Sequence, residues 1–398
     1  MRAIFKFLLG IVLFVGVLVS IAIITGNEHL IRGVRYTYLI GRTSPEIDDR
    51  DFFPSVRIPA TDPQPWPIAS RYDAIQLDPD QTSILEDLRT AGFLIVKDDS
   101  LLFEHYGEGW TEDSVVNSFS VAKSYIGLLT GIALKEGVIS DLQQKVGEFI
   151  PEFSSGCYSN ITLENLLTMS TGLEWSETGK GAFDDDAKAY YGHQVRKLSL
   201  EQPCDGEPGK IFSYSSGSTQ IMAEVLEEAY GKRLDQLVQE KIWKPLNAES
   251  DAWWGMDRKD GDLKAFCCLY AINRDLARLG QVYLDSGRWN GTQLITKEYW
   301  ERSITPADIS DRGRPNERYG YFWWLAKVDG LDMHYARGFH GQYIVVLPQE
   351  RMVIVRSGKL RQVVDEAGHP IDLYEWIGIA RDLAAESRAG PHIAAEEP

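Results

Sequence analysis

The most informative segment of this 398-residue sequence is the nonapeptide Asn117-Ser118-Phe119-Ser120-Val121-Ala122-Lys123-Ser124-Tyr125. Ser120 and Lys123 are three residues apart, so at the start of a helix they lie one turn apart on the same face. A serine hydroxyl is a weak nucleophile until a neighbouring base takes its proton. A lysine can be that base when burial or a nearby cation lowers its pKa from the usual value of about 10.4. The pair therefore predicts a serine nucleophile that is activated by a lysine.

The residues after this pair predict a buried helix. Apolar side chains recur at helical spacing from Tyr125 to Ile132, and Gly137 supplies a left-handed cap near the predicted end. A lysine at the buried start of an apolar helix carries a desolvation cost unless it has a role. A solvent-exposed helix start with a chance Ser-x-x-Lys spacing is the alternative interpretation.

Strand patterns lie at both ends of the body of the chain. Residues 93–97 and 101–106 predict two strands near its beginning, and residues 343–347 and 352–355 predict a hairpin near its end. Helices are predicted between and after them, at 163–169, 219–230, 234–243, 274–284 and 374–385. We therefore expect an α+β fold: an antiparallel sheet built from both chain ends and flanked by helices, with a mainly helical insertion.

The N-terminal segment predicts a membrane anchor. Leu8 to Thr25 form an uncharged run of 18 residues, which at about 1.5 Å per residue nearly spans a hydrocarbon core of about 30 Å. Arg2 and Lys6 precede this run and favour a cytoplasmic N-terminus with an exported body. A cleaved signal peptide and a buried soluble helix are the alternatives.

The chain divides into five predicted parts. They are a cytoplasmic N-terminus (1–7), a transmembrane anchor (8–25), a stalk and lead-in segment (26–80), a catalytic domain (81–388) and a C-terminal tail (389–398). The stalk and lead-in segment is predicted to contain no packed helix because it holds prolines at 45, 54, 59, 63, 65 and 67.

Charge and cysteine content limit the partners. The net charge is -17, which argues against nucleic acid because nucleic-acid-binding proteins carry basic surfaces. No Cys-x-x-Cys pair is present, so no zinc site is expected. Cys157 and Cys204 lie in polar loop sequence and are expected either to pair or to remain free thiols. Cys267 and Cys268 lie in an apolar stretch and are expected to be small core residues.

Two later segments carry groups that suit the same chemistry. Tyr214 lies in Tyr214-Ser215-Ser216-Gly217 at the start of a predicted helix. A tyrosine hydroxyl near a lysine ammonium can shuttle protons. Residues 338–342, Gly-Phe-His-Gly-Gln, precede the last hairpin, and glycine there lets a backbone N–H approach a substrate closely. Such N–H groups can stabilise the oxyanion of an acyl-transfer reaction.

Six segments in this order resemble a known family. They are Ser-x-x-Lys (120–123), Leu-Leu-Thr-Met-Ser-Thr-Gly-Leu (166–173), Pro-Gly…Tyr-Ser-Ser-Gly (208–217), Leu-Tyr-Ala…Arg-Asp-Leu-Ala-Arg-Leu-Gly (269–280), Tyr-Gly-Tyr-Phe-Trp-Trp (319–324) and Gly-x-x-Gly-Gln (338–342). Over about residues 85–385 the chain resembles the serine β-lactamase and penicillin-recognising superfamily. Within it, the chain is most similar to the class C-like esterases and 6-aminohexanoate-dimer hydrolases.

The resemblance implies roles for the matching residues. Ser120 would be the acylated nucleophile, Lys123 the base or its electrostatic partner, and Tyr214 the group that relays protons to the leaving group. The backbone N–H groups of Ser120 and Phe339 would form the oxyanion hole. No metal or cofactor is implied. Contacts with the substrate would come from Ser216, Gly338, His340 and Gln342.

The third motif departs from the family pattern. The superfamily usually has Lys-Thr-Gly or His-Thr-Gly there, whereas this chain has Ala336-Arg337-Gly338 under one alignment and His340-Gly341-Gln342 under another. The cation that holds a penicillin carboxylate is thus absent or displaced. We therefore expect poor activity on β-lactams.

Together these patterns predict a membrane-anchored serine hydrolase whose catalytic domain is periplasmic or extracellular. Its substrate would be a small-molecule ester or amide, or a peptide, hydrolysed through an acyl-enzyme. The N-terminal helix would bind the membrane. A cell-wall D-amino-acid peptidase or transpeptidase is one alternative. A catalytically silent binding module on the same fold is another.

Overall fold

A computed structural model describes residues 1–179 and 181–387. The described helices are α1 (Arg2–Ile24), α2 (His29–Tyr36), α3 (Pro79–Asp87), α4 (Ala122–Lys135), α5 (Leu163–Leu167), α6 (Asp185–Tyr191), α7 (Val195–Leu200), α8 (Ser216–Tyr230), α9 (Leu234–Val238), α10 (Asn273–Leu284), α11 (Lys297–Ser303) and α12 (Asp372–Glu386). The strands are β1 (Ser55–Ile58), β2 (Thr90–Lys97), β3 (Ser100–Tyr106), β4 (Val116–Asn117), β5 (Ala252–Gly255), β6 (Leu269–Ala271), β7 (Arg288–Trp289), β8 (Thr292–Gln293), β9 (Ser310–Asp311), β10 (Arg314–Pro315), β11 (Trp324–Val328), β12 (Leu331–Gly338), β13 (Gln342–Leu347) and β14 (Met352–Gly358). The predicted tail at 389–398 lies outside the described residues.

The main sheet is built from both ends of the body, as the strand patterns predict. Its six strands run in the order β11-β12-β13-β14-β2-β3, and every neighbouring pair is antiparallel. The pairing of β14 with β2, which puts Ile354 opposite Ile95, joins the late strands to the early ones. The expected α+β fold is confirmed.

Helices cover both faces of this sheet. Val353 and Arg356 of β14 are an odd number of residues apart, so their side chains lie on opposite faces. Gly280 of α10 packs so closely on Val353 that an added Cβ would lie 2.4 Å from its side chain. On the other face, the Arg356 guanidinium lies over the Trp376 ring of α12, 5.0 Å from its centroid. The central strands are therefore buried on both sides.

A second sheet supports the segment that carries Ser120. Its four strands run in the order β1-β5-β6-β4. β4 ends at Asn117, and the next N–H, that of Ser118, donates to Leu269 O at the start of β6 at 2.9 Å. Ser120 thus follows directly from a fixed sheet edge.

The predicted buried helix is α4. Every residue from Ala122 to Ala133 is buried. Gly131 lets α11 approach closely, since an added Cβ would lie 2.5 Å from the Tyr299 ring. α4 ends at Lys135, and Gly137 has a φ of +74°, as the cap pattern predicts.

The stalk and lead-in segment packs against the body. In α2 the buried His29 ring hydrogen-bonds Ala182 O at 2.9 Å, and Arg32 donates to Gly192 O at 2.9 Å. β1 pairs with β5. The expectation of no packed helix in 26–80 is therefore wrong for α2. The physical reason is that the first proline of this segment is Pro45, so no proline interrupts the helical hydrogen bonds of α2. The domain boundaries remain predictions.

α1 contains nearly all of the predicted anchor. Among the described residues it alone is long and apolar enough to cross a membrane, with a mean hydropathy of 3.1 in its most apolar window. None of its residues is buried against the rest of the protein. Its 23 residues extend about 34 Å, which exceeds a hydrocarbon core of about 30 Å.

All four cysteines are paired. Cys157 and Cys204 form a disulfide with a Cα–Cα distance of 6.4 Å. Of the two expectations for this pair, the structure therefore has the disulfide. Cys267 and Cys268 are buried, as expected for core residues, and are also bonded to each other.

Candidate active site

Ser120 lies in a strained turn between β4 and α4. The turn is a single 3₁₀ turn, Phe119–Val121, and Phe119 has a φ of +47°, which L-residues adopt only at a cost. The side-chain oxygen of Asn117 holds it by accepting the Phe119 N–H at 2.9 Å. This conformation places Ser120 in the wall of a cleft of about 660 Å³.

Lys123 lies directly behind Ser120, as the three-residue spacing predicts. Its side chain is only 1% exposed. Nζ lies 2.9 Å from the Ser120 hydroxyl, 2.9 Å from the Ser216 hydroxyl and 3.0 Å from Phe266 O. Three oxygen partners compensate for the removal of this amine from water. The geometry suits transfer of the serine proton to the amine.

Ser216 links this amine to a carboxylate. The Ser216 hydroxyl donates to Glu177 at 2.8 Å, and the Ser216 N–H donates to the same carboxylate at 2.7 Å. The indole of Trp175 also donates to Glu177, at 2.9 Å. A continuous chain therefore runs from Ser120 through Lys123 and Ser216 to Glu177.

Tyr214 completes the predicted trio. Nζ of Lys123 lies 5.0 Å from the centroid of its half-buried ring. The ring packs on Trp324, with centroids 5.5 Å apart, and lines the cleft. Ser215, the next residue, caps α8 by accepting the Ser218 N–H at 3.2 Å. The phenol is thus held beside the lysine by a helix start and an aromatic cluster.

Gly338 brings the end of β12 against the nucleophile turn. A Cβ at this position would lie 2.3 Å from Ser118 O and 3.2 Å from the Cβ of Phe119. Only glycine permits this approach. Of the two sequence alignments for the third motif, the structure therefore places Ala336-Arg337-Gly338 beside Ser120.

Two backbone N–H groups remain available in this region. Within residues 1–179 and 181–387, neither the Ser120 N–H nor the Phe339 N–H donates a hydrogen bond to the protein. Phe339 directly follows Gly338, and its ring packs edge-on against Phe119 with centroids 5.7 Å apart. Both N–H groups can therefore serve one substrate oxygen.

Two residues that were expected to contact the substrate, Gln342 and His340, make hydrogen bonds to the protein instead. Gln342 is buried, and within residues 1–179 and 181–387 its side-chain amide bonds to Phe339 O (2.8 Å) and to the backbone of Gly358 at the end of β14 (2.7 and 3.0 Å). It therefore holds the turn rather than meeting the substrate. His340 bonds to Pro45 O at 3.0 Å, so it ties the turn to the lead-in segment. Burial lowers the pKa of His340, which keeps the ring neutral.

A buried carboxylate, Asp49, anchors the nucleophile turn from behind. It accepts hydrogen bonds from the hydroxyls of Tyr190 and Tyr270 and, at 3.3 Å, from the Asn117 amide. The Asn117 N–H also donates to Ile47 O at 2.8 Å. Burial raises the pKa of Asp49. The lead-in segment thus helps to orient the amide that fixes Phe119.

The cleft has charged groups of both signs. Glu177, Asp186, Arg337 and Arg361 all line it. Burial, helped by the charge of Glu177, raises the pKa of Asp186 to about 6. Arg337 is not free to move, because it donates to Gly368 O at 3.0 Å and lies over the Trp324 ring.

Sequence patterns did not identify Glu177 or Asp49. Neither has a spacing that relates it to Ser120 or Lys123, because each reaches the site through a long-range fold contact. The only available signal for Glu177 was its position four residues after the Leu166–Leu173 motif.

Comparisons with known proteins agree with this geometry. The protein-family model described as Beta-lactamase matches residues 82–360. A 6-aminohexanoate-dimer hydrolase of Paenarthrobacter ureafaciens is 27% identical over 330 residues, which are 76% of this chain and 80% of that protein. A Bacillus anthracis structure, named as a candidate 6-aminohexanoate-dimer hydrolase, superposes with a TM-score of 0.71 at 22% identity, covering 89% of this chain and 94% of that one. A family VIII carboxylesterase superposes with a TM-score of 0.59 at 17% identity, covering 78% and 99%.

The antiparallel sheet built from both chain ends, with Ser120 and the buried Lys123 next to the end of β12, defines a fold of the serine-hydrolase type. More specifically, the chain belongs to the Beta-lactamase family. The resemblance inferred from the six sequence segments is confirmed.

Proposed function

We propose that this protein is a serine hydrolase that cleaves an ester or amide through an acyl-enzyme on Ser120. The observation that carries the proposal is the 2.9 Å contact between the Ser120 hydroxyl and the buried Lys123 amine, inside an open cleft. A buried amine beside a hydroxyl is the arrangement that activates a serine without histidine. The relative named 6-aminohexanoate-dimer hydrolase supports this class of substrate.

Acylation would follow from these contacts. The Ser120 oxygen forms a bond to the carbonyl carbon while its proton passes to Lys123. The carbonyl oxygen becomes an oxyanion that accepts the N–H groups of Ser120 and Phe339. The bond to the leaving group then breaks, and the leaving group takes a proton from Tyr214, which Lys123 replaces. Glu177 balances the positive charge on the lysine through Ser216.

Deacylation reverses these roles. A water oxygen forms a bond to the acyl carbon as its proton passes to the base, and the bond to Ser120 breaks as the serine oxygen regains a proton. The same two N–H groups hold the second oxyanion. Loss of one such donor typically costs about 2.7–4 kcal/mol of transition-state stabilisation.

The proposal extends to location. α1 would be a single-pass anchor, with the catalytic domain on the periplasmic or extracellular side. The paired Cys157 and Cys204 support export, because disulfides persist in oxidising compartments.

A fluorophosphonate probe and p-nitrophenyl acetate test the mechanism on the full-length protein. Ser120→Ala is expected to abolish labelling and turnover, and Lys123→Ala to reduce kcat by about 10²–10⁴-fold, the usual contribution of a general base. Ser124→Ala is a matched control. It removes a buried hydroxyl one residue from Lys123, bonded to Phe322 O at 2.7 Å, and should keep labelling. Equal labelling of the wild type and Ser120→Ala would refute the proposal.

A further inference from the structure

α2 forms a wall of the active-site cleft although it lies outside the family match at residues 82–360. It is held firmly. Besides the contacts of His29 and Arg32, the Tyr36 ring stacks on Phe52, with centroids 5.5 Å apart. The wall is therefore a fixed part of the site and not a loosely tethered linker.

This wall presents an uncovered apolar stripe to the cleft. Leu30 and Val34 are four residues apart on α2, and Tyr38 follows α2 at the start of a 3₁₀ turn. All three line the cleft, which also contains Ser120. Val34 is 46% exposed and Tyr38 is 66% exposed, so residues 1–179 and 181–387 leave much of both side chains uncovered. A polar substrate gains nothing from such a stripe, whereas an apolar chain buries it.

The stripe also lies close to the end of α1. Four residues, 25–28, separate α1 from α2, and four residues span at most about 14 Å. The polar layer on each side of a hydrocarbon core is about 5–8 Å thick. If α1 spans a bilayer, the cleft wall therefore lies at the membrane surface, where an amphiphile can enter it without crossing water.

We infer that the substrate is a membrane-resident ester or amide whose apolar chain lies along Leu30, Val34 and Tyr38. This inference rests on the proposed hydrolase function and names its substrate class. The occupant is argued from two independent features: the stripe lines the same cleft as Ser120, and only residues 25–28 separate α2 from α1.

Chain-length selectivity tests the inference on the full-length protein in phosphatidylcholine nanodiscs. Two ester pairs place the long chain on either side of the scissile bond. The acyl side is varied by p-nitrophenyl octanoate against p-nitrophenyl acetate, and the alcohol side by octyl acetate against ethyl acetate. In at least one pair, Val34→Ser and Tyr38→Ser are each expected to lower the long-to-short ratio of kcat/KM by about fivefold or more. This is a modest share of the 10–200-fold that a hydrophobic pocket gains per methylene. Leu39→Ser is the matched control. Leu39 is 74% exposed and does not line the cleft, so Leu39→Ser should leave the long-to-short ratio of kcat/KM unchanged.

A readout without turnover separates this inference from the proposed function. Ser120→Ala protein in vesicles is photo-crosslinked to an octanoate ester with a terminal diazirine, and the modified residues are mapped by mass spectrometry. Adducts within 29–38 are expected. Such adducts, together with no Ser120-dependent hydrolysis of any ester, would refute the hydrolase but support the apolar-chain site.

Three results would overturn the inference. The first is a ratio that Val34→Ser and Tyr38→Ser leave within twofold of the wild type in both ester pairs. The second is a set of adducts confined to α1. The third is a change of oligomeric state in light scattering for Val34→Ser with no change in selectivity, which would mean that a second copy covers the stripe.

Discussion

Gly338→Ala is the sharpest test of how the oxyanion site is built. The added methyl group would lie 2.3 Å from Ser118 O, and real Cβ contacts essentially never fall under 3.0 Å. Two flanking carbons, of Gln342 at 3.0 Å and Phe119 at 3.2 Å, block escape to the side. The backbone itself must therefore move.

The required movement sets the expected loss. To reach 3.0 Å, the end of β12 and the nucleophile turn must separate by about 0.7 Å. Each partner carries one of the two N–H donors, Ser120 on the turn and Phe339 after β12. A misplacement of about 1 Å can cost about 100-fold in rate. We expect kcat to fall by about 100-fold, whereas KM changes less because the apolar wall of α2 stays in place.

Steady-state kinetics with p-nitrophenyl acetate measure this effect. Gly378→Ala in α12 is the matched control, because its Cβ would meet nothing within 4 Å and it should keep full activity. Circular dichroism confirms that both variants are folded. A folded Gly338→Ala enzyme whose kcat stays within twofold of the wild type would show that the close approach of β12 is not needed for catalysis.

Three further changes address the charges around the site. Glu177→Gln replaces the carboxylate that accepts two hydrogen bonds from Ser216, and kcat/KM should fall at least tenfold, since a hydrogen bond to a charged group contributes about 1.5–3 kcal/mol; a kcat/KM within twofold of the wild type would contradict this role. Asp186→Asn should stabilise the protein by about 1–2 kcal/mol at pH 7.5 but not at pH 4, by denaturant titration. Burial raises the pKa of Asp186 from the ordinary 3.8 to about 6, so the cost of burying its charge appears as the pH rises through that range. Partial exposure of the side chain reduces this cost. Equal stabilisation by Asp186→Asn at pH 7.5 and pH 4 would refute this pH dependence. Asp49→Ala leaves the hydroxyls of Tyr190 and Tyr270 without their acceptor, and should lower the free energy of unfolding by about 2–4 kcal/mol and also lower kcat. A destabilised variant with normal kcat would show that the cluster does not orient the turn.

The lead-in segment changes how the catalytic unit is defined. Asp49 of this segment contacts the Asn117 amide that holds Phe119. The carbonyl oxygen of Pro45 hydrogen-bonds the His340 ring, and α2 forms a wall of the cleft. These contacts come from residues before the family match, which begins at residue 82. A truncation at residue 82 is therefore expected to lose an orienting carboxylate as well as a cleft wall.

Local patterns in the sequence were enough for several features. The period of the apolar residues predicts α4 and the sheet strands, because burial imposes helical or alternating spacing on each element separately. The three-residue spacing of Ser120 and Lys123 predicts their contact for the same local reason, and the structure places them 2.9 Å apart. The sheet built from both chain ends follows from where the strand patterns lie.

The rest depended on contacts between distant segments, which leave no periodic trace in one sequence. Glu177 contacts Ser216 across 39 residues, and Asp49 contacts Asn117 across 68. Gln342 is buried because its amide bonds to Phe339 in the turn and to Gly358 at the end of β14. Local sequence patterns thus sufficed for the fold class and for the contact between Ser120 and Lys123. Three features came from the folded structure alone: the carboxylate at the end of the hydrogen-bond chain, the glycine that lies against the turn of Ser120, and the position of α2 in the cleft wall. Each of them depends on how separate elements pack in space.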